Sequence, residues 1–283
     1  LTPPAEAAPP LPPRVSVVIV SFNRAAALRR SLETLGEAHQ IVVVDNGSED
    51  DSPAVEDEFP AVRFRRLPRN FGLTKALNIG LRVAEGEYIL CLHDDVRISG
   101  EAVTRLADYL EAHPEAGAAC PLLTDESGAP APQVRPLPAP AAPDKALRPV
   151  AQSEPGNDEI AVECVSGAAI MFRQFVLHSL RQIDERYGNY GSDIELCAQL
   201  RRASKKIVVR RAIAAIHETE ASPMPPDVLE GDRAAGIAVF LSKHYGFFDS
   251  LIYRLKTALP ALFTLRFQTL AGALSGQKID GTR

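Results

Sequence analysis

The stretch VSVVIVSFNR, residues 15–24, decides the fold. Its first six residues are a β-branched, almost wholly apolar run that follows Pro12 and Pro13 and breaks off at Ser21-Phe22-Asn23. An uninterrupted apolar run of that length, bounded by turn residues, reads as a strand buried on both faces, the hallmark of a parallel sheet. Working outward, residues 24–36 place Ala27, Leu28, Leu32 and Leu35 on one helical face, with Asn23 expected as the cap and Gly36 as the stop. The strand-then-polar-turn pattern returns in IVVVDNGSEDDSP (41–53). A weaker strand follows at 61–66, then a loop and a helix at about 73–84, then the strand YILCLHDD (88–95). A helix halted near Pro114 leads to the short strand AGAAC (116–120). This alternation predicts an α/β fold around a mostly parallel central sheet flanked by helices. Strand material around a Gly turn at 159–173, helices at 174–181 and 193–204, and a last strand ending at His217 complete the body. A helix at about 227–244 and an amphipathic segment over 249–275 follow.

The prolines divide this body. Of 23, six lie in residues 1–13 and nine in 121–155. Proline fixes φ and lacks an N–H, so such stretches are expected outside core helices and central strands. The chain therefore divides into a loose arm (1–13), a main domain (14–222) and a helical appendage (223–283). Within the domain, a proline-rich loop (121–158) separates an N-terminal half (14–120) from a C-terminal half (159–222). A loop that long is typically either functional or a passive insertion.

Composition excludes several classes. A formal charge of −5 argues against a nucleic-acid binder. Cys91, Cys120, Cys164 and Cys197 form no C-x-x-C and read as reduced thiols of a cytoplasmic protein. No uncharged apolar run reaches the roughly 18–20 residues of a membrane-spanning helix, and LTPPAEAAPPLPP does not read as a signal peptide.

Three polar clusters close strands: Ser21-Phe22-Asn23, Asp45-Asn46-Gly47-Ser48 and His93-Asp94-Asp95. Ligands of open α/β sheets bind at the carboxyl ends of the strands, so these clusters are expected to converge. There is no G-x-G-x-x-G and no G-x-x-x-x-G-K-[ST], so a nucleotide bound here needs another way to neutralise its phosphates. Asp94-Asp95 suggests a hard divalent cation, Mg²⁺ or Mn²⁺, bridging carboxylate and diphosphate.

The ordered set VSVVIVSFNR, VVVDNGSED, RNFGLTKALNIGL, AEGEYILCLHDDV, VSGAAIMFR, DERYGNYGSDIEL and His217 resembles glycosyltransferase family 2 over about 14–218. The resemblance is to its rhamnosyltransferase-like branch. It implies a GT-A fold and inverting transfer of a sugar from a nucleoside-diphosphate donor, UDP- or dTDP-linked, to a saccharide or lipid-linked acceptor hydroxyl. That activity would belong to bacterial surface polysaccharide or glycoconjugate synthesis. It further implies that Asp45 reads the base with Ser21 and Phe22 beside it, and that Asn23, Asn46, Asn70 and Lys75 help hold the nucleotide. Asp94 would contact ribose or metal, Asp95 would bind Mn²⁺ or Mg²⁺, and His217 would add a metal or diphosphate contact. Ser166 and Gly167 would let backbone approach the sugar, and Asp193 would be the general base. Such a displacement needs a stabilised leaving diphosphate and a carboxylate to take the acceptor proton. Asp193 follows Gly188-Asn189-Tyr190-Gly191-Ser192, read as a flexible polar stretch able to approach substrate. The loop 121–158, where functional, is expected to border the acceptor site.

Local sequence also admits plainer roles. Asp193 suits a helix N-terminus, Asp45-Asn46-Gly47 suits a turn, Asp94-Asp95 a solvated pair, and His217 a structural strand end. Two positions depart from the family: His93 stands where Asp is common, and Ser192 where Glu commonly precedes the base. Both favour one rival reading, a catalytically silent nucleotide-sugar binder. A second rival, a sugar-phosphate nucleotidyltransferase, is opposed by the missing Gly-rich loop. The C-terminal segment carries Arg254, Lys256, Arg266 and Lys278 among helically spaced apolar residues interrupted by Pro260. That pattern suits peripheral contact with the inner face of a membrane, and equally packing on the main domain or on a second subunit.

Overall fold

The computed structural model describes residues 12–37, 39–147, 149–151, 156–179, 183–218 and 224–275. The N-terminal arm falls almost wholly outside them. The first half alternates as its pattern predicts: β1 (Val15–Ser21), α1 (Ala25–Leu35), β2 (Gln40–Asp45), the short α2 (Val55–Glu58), β3 (Arg63–Arg66), α3 (Leu73–Leu81) and β4 (Tyr88–His93). Then come β5 (Val96–Arg97), α4 (Gly100–Ala112), β6 (Ala116–Thr124), β7 (Pro132–Arg135), β8 (Val150–Ala151), β9 (Glu159–Val162), β10 (Cys164–Val165) and β11 (Ala169–Arg173). The chain continues with α5 (Gln174–Ser179), α6 (Ser192–Arg202), β12 (Lys206–His217), α7 (Pro226–His244), α8 (Phe247–Phe263) and α9 (Phe267–Ser275).

The main sheet runs β3-β2-β1-β4-β11-β6-β12-β5, with β9 also paired to β12. Strands β3, β2, β1 and β4 are parallel, as are β6 and β12, whereas β11 lies antiparallel between β4 and β6. Alternate residues of β1 feed two apolar layers. Val15, Val17 and Ile19 pack with Leu28 and Leu32 of α1 and Leu106 of α4, while Val18 joins Ala76 of α3, Leu196 of α6 and Ile237 of α7. Burial on both faces explains why the strand is apolar at every position from Val17 to Val20 rather than alternating.

The register sets the site. Ser21 pairs with Asp45, and Val20 with His93, so the polar clusters that close β1, β2 and β4 share one edge.

Four local expectations are corrected. Asn23 does not cap α1: it sits in the left-handed region at φ 53° and its side chain accepts from the Glu49 N–H. Asp50 and Ser52 of the next loop serve instead, accepting from the N–H groups of Ala25 and Arg24. Pro121 lies inside β6, between β11 and β12. The β11 pairing covers only Ala118 and Ala119, so the missing N–H leaves no ladder bond broken on that side. Its carbonyl accepts from Gln133 Nε2 at 2.7 Å. Pro260 does not interrupt α8, which continues to Phe263. The segment 121–158, expected as a loop, contains the end of β6 together with β7 and β8, and β7 pairs with β8 and β10 in a small second sheet.

Candidate active site

The turn after β2 is built on backbone proximity. Asp45 Oδ1 accepts from Ser48 N at 3.1 Å, and Gly47, at φ 81°, lies so close to the next segment that a Cβ would meet the Arg69 carbonyl carbon at 2.4 Å. Asn46 and Asn70 are both buried and bonded side chain to side chain at 2.9 Å. These residues frame a cavity of about 300 Å³ that includes Phe22, Asn23, Gly47, Ser48, Arg69 and Asn70 in its wall. Asp45 is buried and is not part of that wall, which it reaches through its bond to Ser48. Lys75 is in the wall of none of the three cavities along this edge, and its Nζ lies 4.6 Å from the centre of the Phe71 ring.

Across Phe22 and Asn70 lies a second cavity of about 250 Å³, lined also by Arg24, Asn46, His93, Asp94 and Asp95. Ser21 Oγ donates to Asp94 Oδ2 at 2.9 Å, and Arg24 Nη1 stands 2.5 Å from Asp95 Oδ2 and 3.6 Å from Asp94 Oδ1. Burial pushes the Asp94 carboxyl up to about 7 against the opposing pull of Arg24. Burial alone would raise Asp95 too, but His217, His93 and Arg24 overcome it and hold that carboxylate well below its usual range.

Asp95 Oδ1 is buried with no hydrogen-bond partner, and it faces His217 Nε2 at 3.4 Å and His93 Nδ1 at 4.0 Å. One donor atom from each of these three residues falls within 4.8 Å of the others. Burial drives the His93 imidazole down to about 4, so at neutral pH it carries a free nitrogen lone pair, as a ligand must. An orphaned carboxylate oxygen beside two imidazoles fits a divalent transition-metal ion. The structure thus joins the expected Asp95 and His217 and adds His93, which the sequence reading had counted only as a departure. His217 is held there by its neighbour: the buried Glu218 carboxylate binds Arg30 at 2.5 Å and Arg97 at 2.7 Å, and its N–H donates to Asp95 O.

A third cavity, of about 260 Å³, shares Val20, Leu73, His93 and Asn189 with the second. Ser166, Gly167, Tyr190, Asp193, Arg135 and Arg233 supply its polar wall. Asp193 lies in the first turn of α6, and its Oδ2 accepts from Gly167 N at 3.1 Å. A Cβ on Gly167 would lie 3.2 Å from Asp193 Cβ, so glycine permits this approach. The preceding stretch is pinned rather than flexible. Asn189 and Tyr190 donate their N–H groups to Asp232, and Gly188 and Asn189 accept from the first N–H groups of α3.

Arg135 was not anticipated. It comes from β7 within the proline-rich segment, is buried, and contacts both Asp193 Oδ2 and the Tyr190 hydroxyl. The prolines on either side masked the strand, yet Gln133 and Arg135, two residues apart, both turn inward as a strand requires. Arg135 is a positioning residue for Asp193. If Asp193 is the reacting base, Arg135→Gln should lower turnover on the order of 10²-fold, with Arg135→Lys recovering part of it. Equal steady-state rates for wild type and Arg135→Gln would refute this.

A curled α/β sheet with three adjoining cavities along the carboxyl ends of its strands, and an acidic and histidine cluster at the middle one, is the GT-A fold. The chain belongs to glycosyl transferase family 2, whose family model matches residues 16–181. It is 26% identical to an N-acetylglucosaminyl-diphospho-decaprenol L-rhamnosyltransferase of Mycobacterium tuberculosis over 217 residues, 66% of this chain and 70% of that protein. Among solved structures, the Pyrobaculum calidifontis mannosyltransferase PcManGT, in complex with GDP-Man and Mn²⁺, aligns with a TM-score of 0.55 at 17% identity, covering 94% of this chain and 86% of its own. S. aureus TarS 1–349 in complex with UDP aligns at 0.57 and 17% identity, covering 85% and 69%.

Proposed function

We propose that this enzyme transfers a sugar, with inversion, from a nucleoside-diphosphate donor to a hydroxyl of a lipid-linked or polysaccharide acceptor. One observation carries the reading. The three cavities share walls in sequence, with the metal-type cluster at the middle one and a carboxylate at the far one, matching the order base, diphosphate, sugar and acceptor. The first cavity takes the base, a pyrimidine on this reading, with Asp45, Ser21, Asn23 and Asn46 shaping its frame and Phe22 as its apolar wall. His93, Asp95 and His217 would hold a divalent cation, whose charge would stabilise the leaving diphosphate. Arg24 and Asn70 stand beside the same cavity to engage phosphate oxygens. Ser166 and Gly167 give the sugar close access to backbone. The acceptor oxygen forms its bond to the anomeric carbon as the bond to diphosphate breaks, and Asp193 takes the hydroxyl proton. The relative from M. tuberculosis, named for a diphospho-decaprenol acceptor, supports the lipid-linked class.

The test is release of nucleoside diphosphate from UDP-, dTDP- and GDP-sugars with Mn²⁺ and a polyprenyl-diphosphate-linked sugar. Acceptor-dependent release is the expected result. Donor binding with no release from any pair would favour the silent binder instead, and pyrophosphate-dependent chemistry would favour the nucleotidyltransferase.

A further inference from the structure

Helix α8 is amphipathic in the reverse sense from a helix that faces water. Its inner face against the body is small or polar: Ser250, Tyr253, Ala258 and Ala261 are buried. Its outer face carries Phe248, Ile252, Leu255, Leu259 and Leu262 at helical spacing, and Phe248 is 76% exposed. The apolar surface continues around the turn into α9 through Phe263, Leu265 and Phe267, which are 83%, 70% and 68% exposed. A contiguous apolar face of this kind marks an interaction surface.

This helix pair is not a loose tail. Asp227 at the start of α7 accepts from Gln268 N at 2.9 Å and from Thr269 Oγ1 at 2.7 Å, fastening α9. Ser250 Oγ of α8 donates to Ala238 O of α7 at 2.8 Å. Helix α7 in turn lines the substrate side, with Leu229 in the wall of the second cavity and Arg233 in that of the third. One rigid helix therefore separates the apolar face from the cavity that holds Asp193.

Charge selects the occupant. Helices α8 and α9 and the turn between them carry Arg254, Lys256 and Arg266 against one acid, Asp249 at the start of α8, with Arg266 paired to Glu230 of α7, in a protein whose net charge is −5. Lys256 is exposed among the apolar residues, and a lysine there can extend its ammonium to headgroup level while its stem stays in apolar surroundings. Two copies docked face to face would set these basic segments against each other, whereas anionic headgroups complement them.

We propose that the α8–α9 face docks on an anionic lipid surface and so presents the Asp193 cavity to acceptors held in that surface. The docking itself is independent of the transfer chemistry, and its test uses no turnover. The full chain is floated with vesicles of phosphatidylcholine alone and of phosphatidylcholine with phosphatidylglycerol. Binding to the anionic vesicles is expected, reduced about tenfold by Phe263→Asp and several-fold by Lys256→Glu. Both positions are exposed, and an unchanged melting temperature would show that the fold is intact. Absence of wild-type binding to either vesicle overturns the proposal. So does a wild-type dimer in light scattering that Phe263→Asp dissociates without any change in vesicle binding.

Discussion

Asp193→Asn is expected to leave donor binding intact and to lower kcat by about 10²–10⁴-fold, the usual span for losing a positioned general base. Asparagine keeps the shape of the group, and its carbonyl oxygen still accepts from Gly167 N–H and from Arg135, the two partners of Asp193 Oδ2. What disappears is the capacity to take the acceptor's proton. Asp193 Oδ1 accepts only the Ile194 N–H among the described contacts, so one lone pair stays open toward the cavity in the wild type. The substitution also leaves the Arg135 guanidinium, whose side chain is only 6% exposed, without its counter-charge. Breaking a buried pair in that way costs on the order of 3 kcal/mol of stability. Rates therefore have to be compared well below the variant's melting temperature, and donor affinity measured calorimetrically on the same preparation. A wild-type kcat in Asp193→Asn would remove Asp193 from the chemistry. Loss of donor affinity in step with kcat would show instead that the substitution had damaged the cavity.

The position of Asp193 shows what a linear reading can and cannot reach. The strand and helix alternation of the first half was legible because β1, β2 and β4 are buried on both faces, and their uninterrupted apolar runs admit little else. Convergence of Ser21, Asp45 and Asp94 followed from the parallel topology alone. The second half was harder. Strand β11 enters the sheet antiparallel between β4 and β6, a placement set by contacts far apart in sequence. The segment 121–158 concealed a strand because proline is tolerated wherever a neighbouring strand has already ended, and no local signal reports where β11 stops. Asn23 looked like a helix cap because Asn is a good one. The capping was taken over by Asp50 and Ser52, which only the fold brings near α1. Arg135 and Arg24 were silent in the sequence for the same reason: an arginine gains meaning from the carboxylate it faces. His93 was visible as an oddity, but its use depends on His217, which lies more than a hundred residues away and arrives through the β5–β12 pairing of Val96 with His217.

That arrival leads to the second large effect. Asp95→Asn is expected to reduce Mn²⁺ affinity by at least about a hundredfold, since even the loss of an outer-shell partner of a metal ligand costs 10–100-fold, and to abolish cation-stimulated turnover. The carboxylate is the only anionic member of the trio, and its Oδ1 is the atom left without a hydrogen bond between the two imidazoles. Replacing it with an amide removes the charge while preserving the side chain's volume. Arg24 does not become an isolated buried cation, because Asp94 Oδ1 lies 3.6 Å from the same guanidinium nitrogen. Mn²⁺ titration followed by electron paramagnetic resonance, with and without UDP, reads the affinity directly and does not depend on knowing the acceptor. His93→Asp provides the opposite test. It exchanges an imidazole for a second carboxylate while His217 stays, so any preference for Mn²⁺ over Mg²⁺ should weaken, because carboxylate oxygens suit Mg²⁺ and imidazole nitrogens suit transition metals. If Asp95→Asn and His93→Asp both titrate Mn²⁺ like the wild type, the trio is a structural cluster and the diphosphate is neutralised by the arginines alone. If Asp95→Asn fails while His93→Asp binds Mg²⁺ more tightly than the wild type, the histidine at the end of β4 is what tunes this enzyme toward a transition metal.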